Sequence, residues 1–248
     1  MDEGLRFDVI FHLGACTDTT NLDAGYHIAN NTLYTKSLFD YAIASKSRFL
    51  YASSGAVYGL AKTGFAEDQE ILAPVNPYGY SKYLFDQWML KSARKPVQCV
   101  GFRFFNVYGP GEYHKGGMAS MVYRGFLQIK DHGSMGLFKG NYTRDFIYVR
   151  DAVDVMLYFF DHPRLQGLYN VGTGTTRPFE DLAQAIFTAM SKRPDITSIS
   201  MPSELKKSYQ SFTEADIRKL RVAGYKRGFT SLEHGVASYV EHLLKSFV

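Results

Sequence analysis

Arg48-Phe49-Leu50-Tyr51-Ala52-Ser53-Ser54, followed downstream by Pro77-Tyr78-Gly79-Tyr80-Ser81-Lys82, decides the fold. The first stretch is a short apolar run closed by two small polar residues. It reads as a buried strand whose carboxyl end carries hydroxyls. In the second, a proline marks the start of a helix. On that helix Tyr78 and Lys82 sit one turn apart on the same face. A phenol ordinarily loses its proton near pH ~10, and a neighbouring ammonium lowers that value. A hydroxyl from Ser54 could hold a substrate oxygen against the phenol. Such a set suits moving a proton on or off a carbinol while hydride leaves or arrives at its carbon. The plainer alternative is a helix start with a surface lysine.

Outward from this stretch the pattern repeats. Phe7 to Leu13 reads as a buried strand ending at Gly14-Ala15, and a helix is expected from about Leu22 to Ser45. A polar loop containing Gly59, Gly64, Pro74 and Pro77 leads to the Tyr78 helix, which runs through Trp88 and Leu90. Val97 to Phe105 is a third strand, ending at Asn106. Strand, helix, strand, helix, strand predicts an α/β fold, a parallel sheet with crossover helices. Ligands of such sheets bind outside the carboxyl ends of the strands, where Cys16-Thr17, Ser53-Ser54 and Asn106 all fall. Further on, Met118–Lys130 reads as helix, Phe146–Val149 as strand, Asp151–Phe160 as helix and Gly167–Val171 as strand. Gly172-Thr173-Gly174 turns the chain into a helix through Met190, and Phe212–Leu220 and Leu232–Phe247 read as closing helices. A boundary between Val107 and Gly117 divides residues 1–110 from a smaller mixed α/β lobe, 111–248. Residues 144–170 are expected to return to the sheet.

The chain has 248 residues, 46% hydrophobic and 21% charged, which suits one large domain or a domain with a lobe. Its 18 Tyr and 19 Phe suggest dense, partly amphipathic packing and subunit contacts. A net charge of +4 without a Lys/Arg cluster argues against nucleic acid and suits a small anionic substrate. Cys16 and Cys99 form neither a disulfide framework nor a metal set, and both read as buried thiols. No apolar run reaches ~18 residues and no signal pattern opens the chain, so a reducing cytoplasm is the expected compartment.

The combination Ser53-Ser54-Gly55-Ala56-Val57-Tyr58-Gly59, Tyr78 to Lys82, FRFFNVYGP (Phe102 to Pro110) and RDFIYVRD (Arg144 to Asp151) resembles the extended short-chain dehydrogenase/reductase family. FHLGACTDTT (Phe11 to Thr20), EYHKGGMAS (Glu112 to Ser120) and YQSFTEADI (Tyr209 to Ile217) resemble its ADP-heptose 6-epimerase branch, from Phe7 to the C-terminus. The resemblance implies a Rossmann-like sheet. It implies that Tyr78 is an acid/base, that Lys82 lowers its pKa and binds the nicotinamide ribose, that Ser54 orients the substrate hydroxyl and that Lys115 is a second acid/base. A second donor has a physical motive, because inversion through a ketone returns hydride to the opposite face and one tyrosine cannot serve both orientations. Taken alone, Lys115 is a solvated loop lysine between glycines. The resemblance further implies cofactor contacts at Leu13, Gly14, Ala15, Cys16, Thr17, Asn30, Val107 and Lys115, with NADP or NAD as cofactor. It implies substrate contacts at Asn106, Gly117, Arg124, Phe138, Lys139, Gly140, Asn141, Arg144 and Tyr209. A pyrophosphate suits the guanidinium of Arg144, which could equally pair with Asp145 or Asp151; Tyr209 could equally be core packing. Members of the family commonly form homo-oligomers, often pentamers.

Three departures qualify the implied activity. The family opens with a glycine-rich turn that binds the cofactor diphosphate, and no G-x-x-G-x-x-G stands here. The chain reads as beginning at the fourth strand, either as a fragment of a complete enzyme or as a natural short form. A raw sheet edge and weakened cofactor binding are then expected. Gly117 stands where the family has a small polar residue, and Arg124 where it has a histidine. Other nucleotide-sugar epimerases or dehydratases, or a non-catalytic remnant binding a nucleotide-sugar or a partner along the sheet edge, are the alternatives.

Overall fold

A computed structural model describes residues 6–60, 65–68, 72–206 and 209–246; Gly64 and Phe247 lie outside them. Four parallel strands form the main sheet in the order β1 (Val9–His12), β2 (Arg48–Ser54), β3 (Cys99–Phe104) and β8 (Gly167–Val171). Because the strands are buried on both faces, alternate residues of β2 feed two separate cores. Phe49 and Tyr51 pack with Phe39 and Phe85 from α2 (Tyr34–Ser45) and α3 (Pro77–Lys91). Leu50 joins Val155 and Phe159 of α5 (Val149–Asp161) on the other face. Tyr51 meets Phe85 edge-on at 4.8 Å, one link in an aromatic ladder that runs on through Phe39 to Trp88.

The helix expected from Leu22 to Ser45 is not uniform. α1 (Ala24–His27) passes through a π-helical stretch, Ile28–Leu33, into α2. Asp23 caps its start, accepting from the Tyr26 N–H at 2.9 Å. In α3, Pro77 takes the first helical position and Asn76 caps, accepting from the Gly79 N–H at 2.8 Å.

Short strands mark the second half: β4 (Asn106–Tyr108) beside β7 (Phe146–Tyr148), β5 (Met135–Phe138) beside β10 (Ile196–Ile199), and β6 (Thr143–Arg144) against β9 (Arg177–Pro178). The β5, β6, β9 and β10 pairs are too short to leave a periodic signal in the sequence. α4 (Met121–His132), α6 (Phe179–Ala189) and α9 (Leu232–Ser246) pack around Phe126, Phe187 and Tyr239. The helix expected over Phe212–Leu220 shrinks to α8 (Arg218–Val222), after a short α7 (Ser203–Lys206). Residues 212–217 are claimed by partners elsewhere. Ala215 bridges Phe65, the Thr213 N–H donates to the Thr143 carbonyl, and the Ala215 N–H donates to Asp145. No described helix is long and apolar enough to cross a membrane.

Gly101 of β3 lies where a Cβ would come within 2.5 Å of the Tyr51 ring and hydroxyl and 2.6 Å of Leu168. Gly101→Val is therefore expected to lower stability by about 1–3 kcal/mol through overpacking, read as a fall in the urea midpoint. An unchanged midpoint would show that Tyr51 moves aside freely.

Candidate active site

Ser54 ends β2, and the chain turns at once into a 3-10 helix, Gly55–Tyr58. The start of α3 presses against that turn. A Cβ on Gly79 would stand 2.9 Å from the Ala56 carbonyl oxygen, so glycine beside Tyr78 permits the close approach. The Tyr78 phenol thereby comes near the Ser54 side chain, whose Oγ accepts from the Ala56 N–H at 3.1 Å.

The expectation that Lys82 depresses the Tyr78 pKa is corrected here. Burial raises the phenol above its ordinary value, outweighing the opposing influence of Ser54, and the Cys16 thiol adds to the rise. Lys82 is buried on the same helix face and gives Nζ to the Ala52 carbonyl at 2.8 Å. Burial lowers its own pKa to about 8, against the pull of Asp86.

Beside this pair lies the loop after β1. Asn31 fixes it: Oδ1 accepts from the Cys16 N–H at 2.8 Å, and Nδ2 donates to the Cys16 carbonyl and to Ser81 Oγ, each at 2.9 Å. Leu13, Gly14 and Thr17 are exposed, and nothing stands within 4 Å of a Cβ built on Gly14. Cys16 is half-buried at this rim rather than a core thiol, whereas Cys99 is buried and pushed up to about 12 by desolvation. Asn30 is exposed, its amide donating to the Tyr26 carbonyl at 2.8 Å. An open backbone shelf beside a buried ammonium and a phenol fits the nicotinamide-riboside end of a dinucleotide.

Ser54 is in register with Phe104, two residues before Asn106, and there a cleft of about 770 Å³ opens. Asn106, Val107, Lys115, Gly117, Arg124, Phe138, Gly140, Arg144 and Tyr209 all line it, as do Thr19 and Thr20 from the loop after β1. Lys139 and Asn141 are exposed outside its lining. Lys115 is exposed on a 3-10 turn, Tyr113–Met118. Buried Glu112 anchors that turn across its base, accepting from the Ser120 N–H and hydroxyl, each at 2.6 Å. Glu112 opens the EYHKGGMAS segment without its anchoring role being legible there, and no sequence motif announces Asn31.

Arg144 is the strongest electrostatic feature of the cleft. It is buried, with the Tyr209 ring 5.0 Å and the Phe179 ring 5.5 Å from its guanidinium, and its hydrogen bond goes to its neighbour's carbonyl at Thr143. The alternative pairing with Asp145 or Asp151 does not occur. Asp145 accepts from the N–H groups of Thr173, Gly174 and Ala215 and from the Thr173 hydroxyl; Asp151 accepts from Thr230. Among the described residues no carboxylate pairs with Arg144, and burial lowers its pKa. A buried, unpaired guanidinium facing a cleft calls for an anion.

Residues 1–172 match the NAD dependent epimerase/dehydratase family. The chain belongs to that family. A Fusobacterium nucleatum member named ADP-L-glycero-D-manno-heptose-6-epimerase is 43% identical over 258 residues, covering 96% of this chain and 78% of the relative. The crystal structure of Helicobacter pylori ADP-L-glycero-D-manno-heptose-6-epimerase superposes with a TM-score of 0.87 at 30% identity, covering 97% of this chain and 74% of that one. A Methanobrevibacter ruminantium UDP-N-acetylglucosamine 4-epimerase reaches 0.86 at 21% identity, covering 96% and 77%, so backbone shape alone does not separate the sugars these epimerases act on.

The family site carries one pH liability. Burial, with Lys82 second, lowers His12 from 6.5 to about 4. As pH falls through 6.5 the unfolded chain takes up a proton there that the fold refuses, so stability is lost between pH 6.5 and about 4. The loss reaches about 3 kcal/mol at most. Urea midpoints should fall over this window, and less steeply in His12→Gln; equal slopes would remove His12 as the cause.

Proposed function

We propose that the protein epimerises C6 of the heptose in ADP-heptose, converting the D-glycero-D-manno to the L-glycero-D-manno form by transient oxidation, for lipopolysaccharide core synthesis. The observation that carries this reading is a cleft that opens beside the end of β2, where Ser54 stands near Tyr78, and that holds a buried arginine with no carboxylate partner among the described residues. Similarity to the Fusobacterium and Helicobacter enzymes over nearly the whole chain supports the sugar.

The buried arginine takes the diphosphate, with Arg124 and Lys115 adding positive charge along the same cleft. Tyr209, packed edge-on against Phe138 and Tyr142, holds the Arg144 fork in place. Leu13 to Thr17, Asn30, Lys82 and Val107 are the residues that would hold the cofactor, for which NADP is the proposed form. When bound, the nicotinamide supplies the hydride acceptor and donor.

Ser54 receives the C6 hydroxyl and aligns it with Tyr78. Its elevated pKa keeps Tyr78 protonated in the isolated protein, set as the acid for the reduction half. Its service as base requires more positive charge beside the phenol than the isolated protein supplies. Once the phenol has lost its own proton to solvent, the tyrosinate oxygen takes the C6 hydroxyl proton as the carbinol, giving up hydride to the bound nicotinamide, becomes a ketone. After the C6 end has turned, a proton must reach the oxygen from the other side. Lys115, which lines the cleft on the turn that Glu112 anchors, would supply that proton.

Proton NMR at C6 tests the reaction. With cofactor bound, one ADP-heptose epimer should give both without added reductant; an unchanged spectrum ends the proposal. Tyr78→Phe and Lys115→Met should each slow it by about 100-fold or more, while Lys91→Met at the exposed end of α3 should not. Equal losses in all three would indicate folding damage. Calorimetry with ADP reads the anion site separately: Arg144→Gln should weaken binding about 10- to 100-fold, and unchanged affinity would place the diphosphate elsewhere.

A further inference from the structure

Tyr78, Lys82 and Asp86 stand at one-turn spacing along α3. Asp86 is completely buried. Its Oδ1 accepts from the Tyr51 hydroxyl at 2.8 Å; its Oδ2 accepts from Ser53 Oγ at 2.8 Å and from Arg103 Nε at 3.0 Å. Tyr51 and Ser53 flank Ala52, the residue whose carbonyl accepts from Lys82 Nζ. Two consecutive turns of α3 thus grip three consecutive residues of β2. The outer two bind the carboxylate and the middle one binds the ammonium. On the far side, Arg103 Nη1 donates to the Tyr58 hydroxyl at 3.0 Å, and Tyr58 donates to Asn170 Oδ1 at 2.7 Å.

We propose that Asp86 is a positioning residue for the Tyr78–Lys82 pair: its carboxylate, clamped by Tyr51, Ser53 and Arg103, fixes α3 on β2 so that the Lys82 ammonium stays seated on the Ala52 carbonyl. The assignment rests on the reading of Tyr78 and Lys82 as the acid–base site.

Asp86 also governs the charge of Lys82. Asp86 on α3 and His12 on β1 act on the ammonium directly, Tyr78 stands one turn before it on α3, and Tyr51 on β2 and Arg103 on β3 bind Asp86. His12 is neutral above about pH 4, and burial holds both tyrosines in their neutral forms. Arg103 keeps its charge throughout and spends it on Asp86 and Tyr58. Lys82 is therefore the group that titrates, and Asp86 is the charge that holds its proton against burial.

The test is a titration of the protein carrying ¹³C at the lysine Cε positions, without cofactor or substrate, the Lys82 signal being assigned by its loss in Lys82→Arg. The wild-type midpoint should lie near 8. Asp86→Asn should move it down by about one unit or more, and Asp86→Glu, which keeps the charge, by less than half as much. Where Asp86→Asn strands Arg103 and unfolds the chain, the paired variant Asp86→Asn/Arg103→Gln removes both charges and should show a fall of the same sign but smaller size, because the lost cation offsets part of the lost anion. Exposed Lys91 on the same helix should not move, which separates the effect from general folding damage. An unshifted Lys82 in the Asn variants, or a Lys91 that shifts equally, overturns the proposal. The titration reads no turnover, so loss of the C6 reaction in the NMR assay leaves it standing, and its own failure leaves that reaction standing.

Discussion

A buried carboxylate bridging a helix and two strands is the constraint on which the chemistry depends. Asp86 sits among Tyr51, Ser53 and Arg103, with every partner buried. A buried ion pair of this kind adds little net stability over a well-packed apolar cluster, because desolvation cancels most of the attraction. Its value lies in specificity. Each donor accepts only one geometry, so α3 can neither slide along β2 nor rotate upon it without stranding a charge. Gly101 below and Gly79 above make the same point sterically: at both, the absent Cβ gives Tyr51 or Ala56 its place. The helix that bears Tyr78 is thereby held from its first turn to its third.

That rigidity shapes the proton affinities. A phenol and an ammonium buried one turn apart both prefer to be neutral, so burial alone drives their pKa values in opposite directions. The phenol holds its proton and the lysine releases its own near pH 8. Such a pair gives up a proton readily only when further positive charge arrives beside the tyrosine. The protein without ligand therefore holds Tyr78 in its acid form.

Much of this was legible in the chain. β2 and α3 declare themselves through an apolar run ending in Ser53-Ser54 and through Pro77 before Tyr78, because such signals are local; the Asn76 cap emerged only in the structure. The cleft arginine was legible as a residue but not as a state. Whether Arg144 faces an anion or pairs with Asp145 depends on contacts with Thr173, Gly174 and Ala215, residues far away in sequence. Residues 212–217 misled for the same reason, their helical pattern yielding to hydrogen bonds with Thr143 and Phe65. Asp86 left a faint trace in its one-turn spacing from Lys82. The anchoring roles of Asn31 and Glu112 left none, since holding a loop by its backbone needs only a polar side chain at the right distance.

The two halves of the site differ in how they carry charge. At the sheet, positive charge is compensated: Arg103 is matched by Asp86, and Lys82 is shared between a carbonyl and that carboxylate's field. In the cleft, Arg144 is left without a carboxylate, and its desolvation is offset only by aromatic faces. An uncompensated buried cation is costly in the empty protein, and that cost is recovered when an anion binds. Under the proposed function an anion at Arg144 would offset its desolvation, whereas the carboxylate of Asp86 and the ammonium of Lys82 already have their partners. In the proposed reaction a ligand would be held at its charged end by Arg144 while its reacting end faces side chains fixed by Asp86. Inversion of one carbon needs this division, because the reacting end must turn over while the rest of the molecule stays bound.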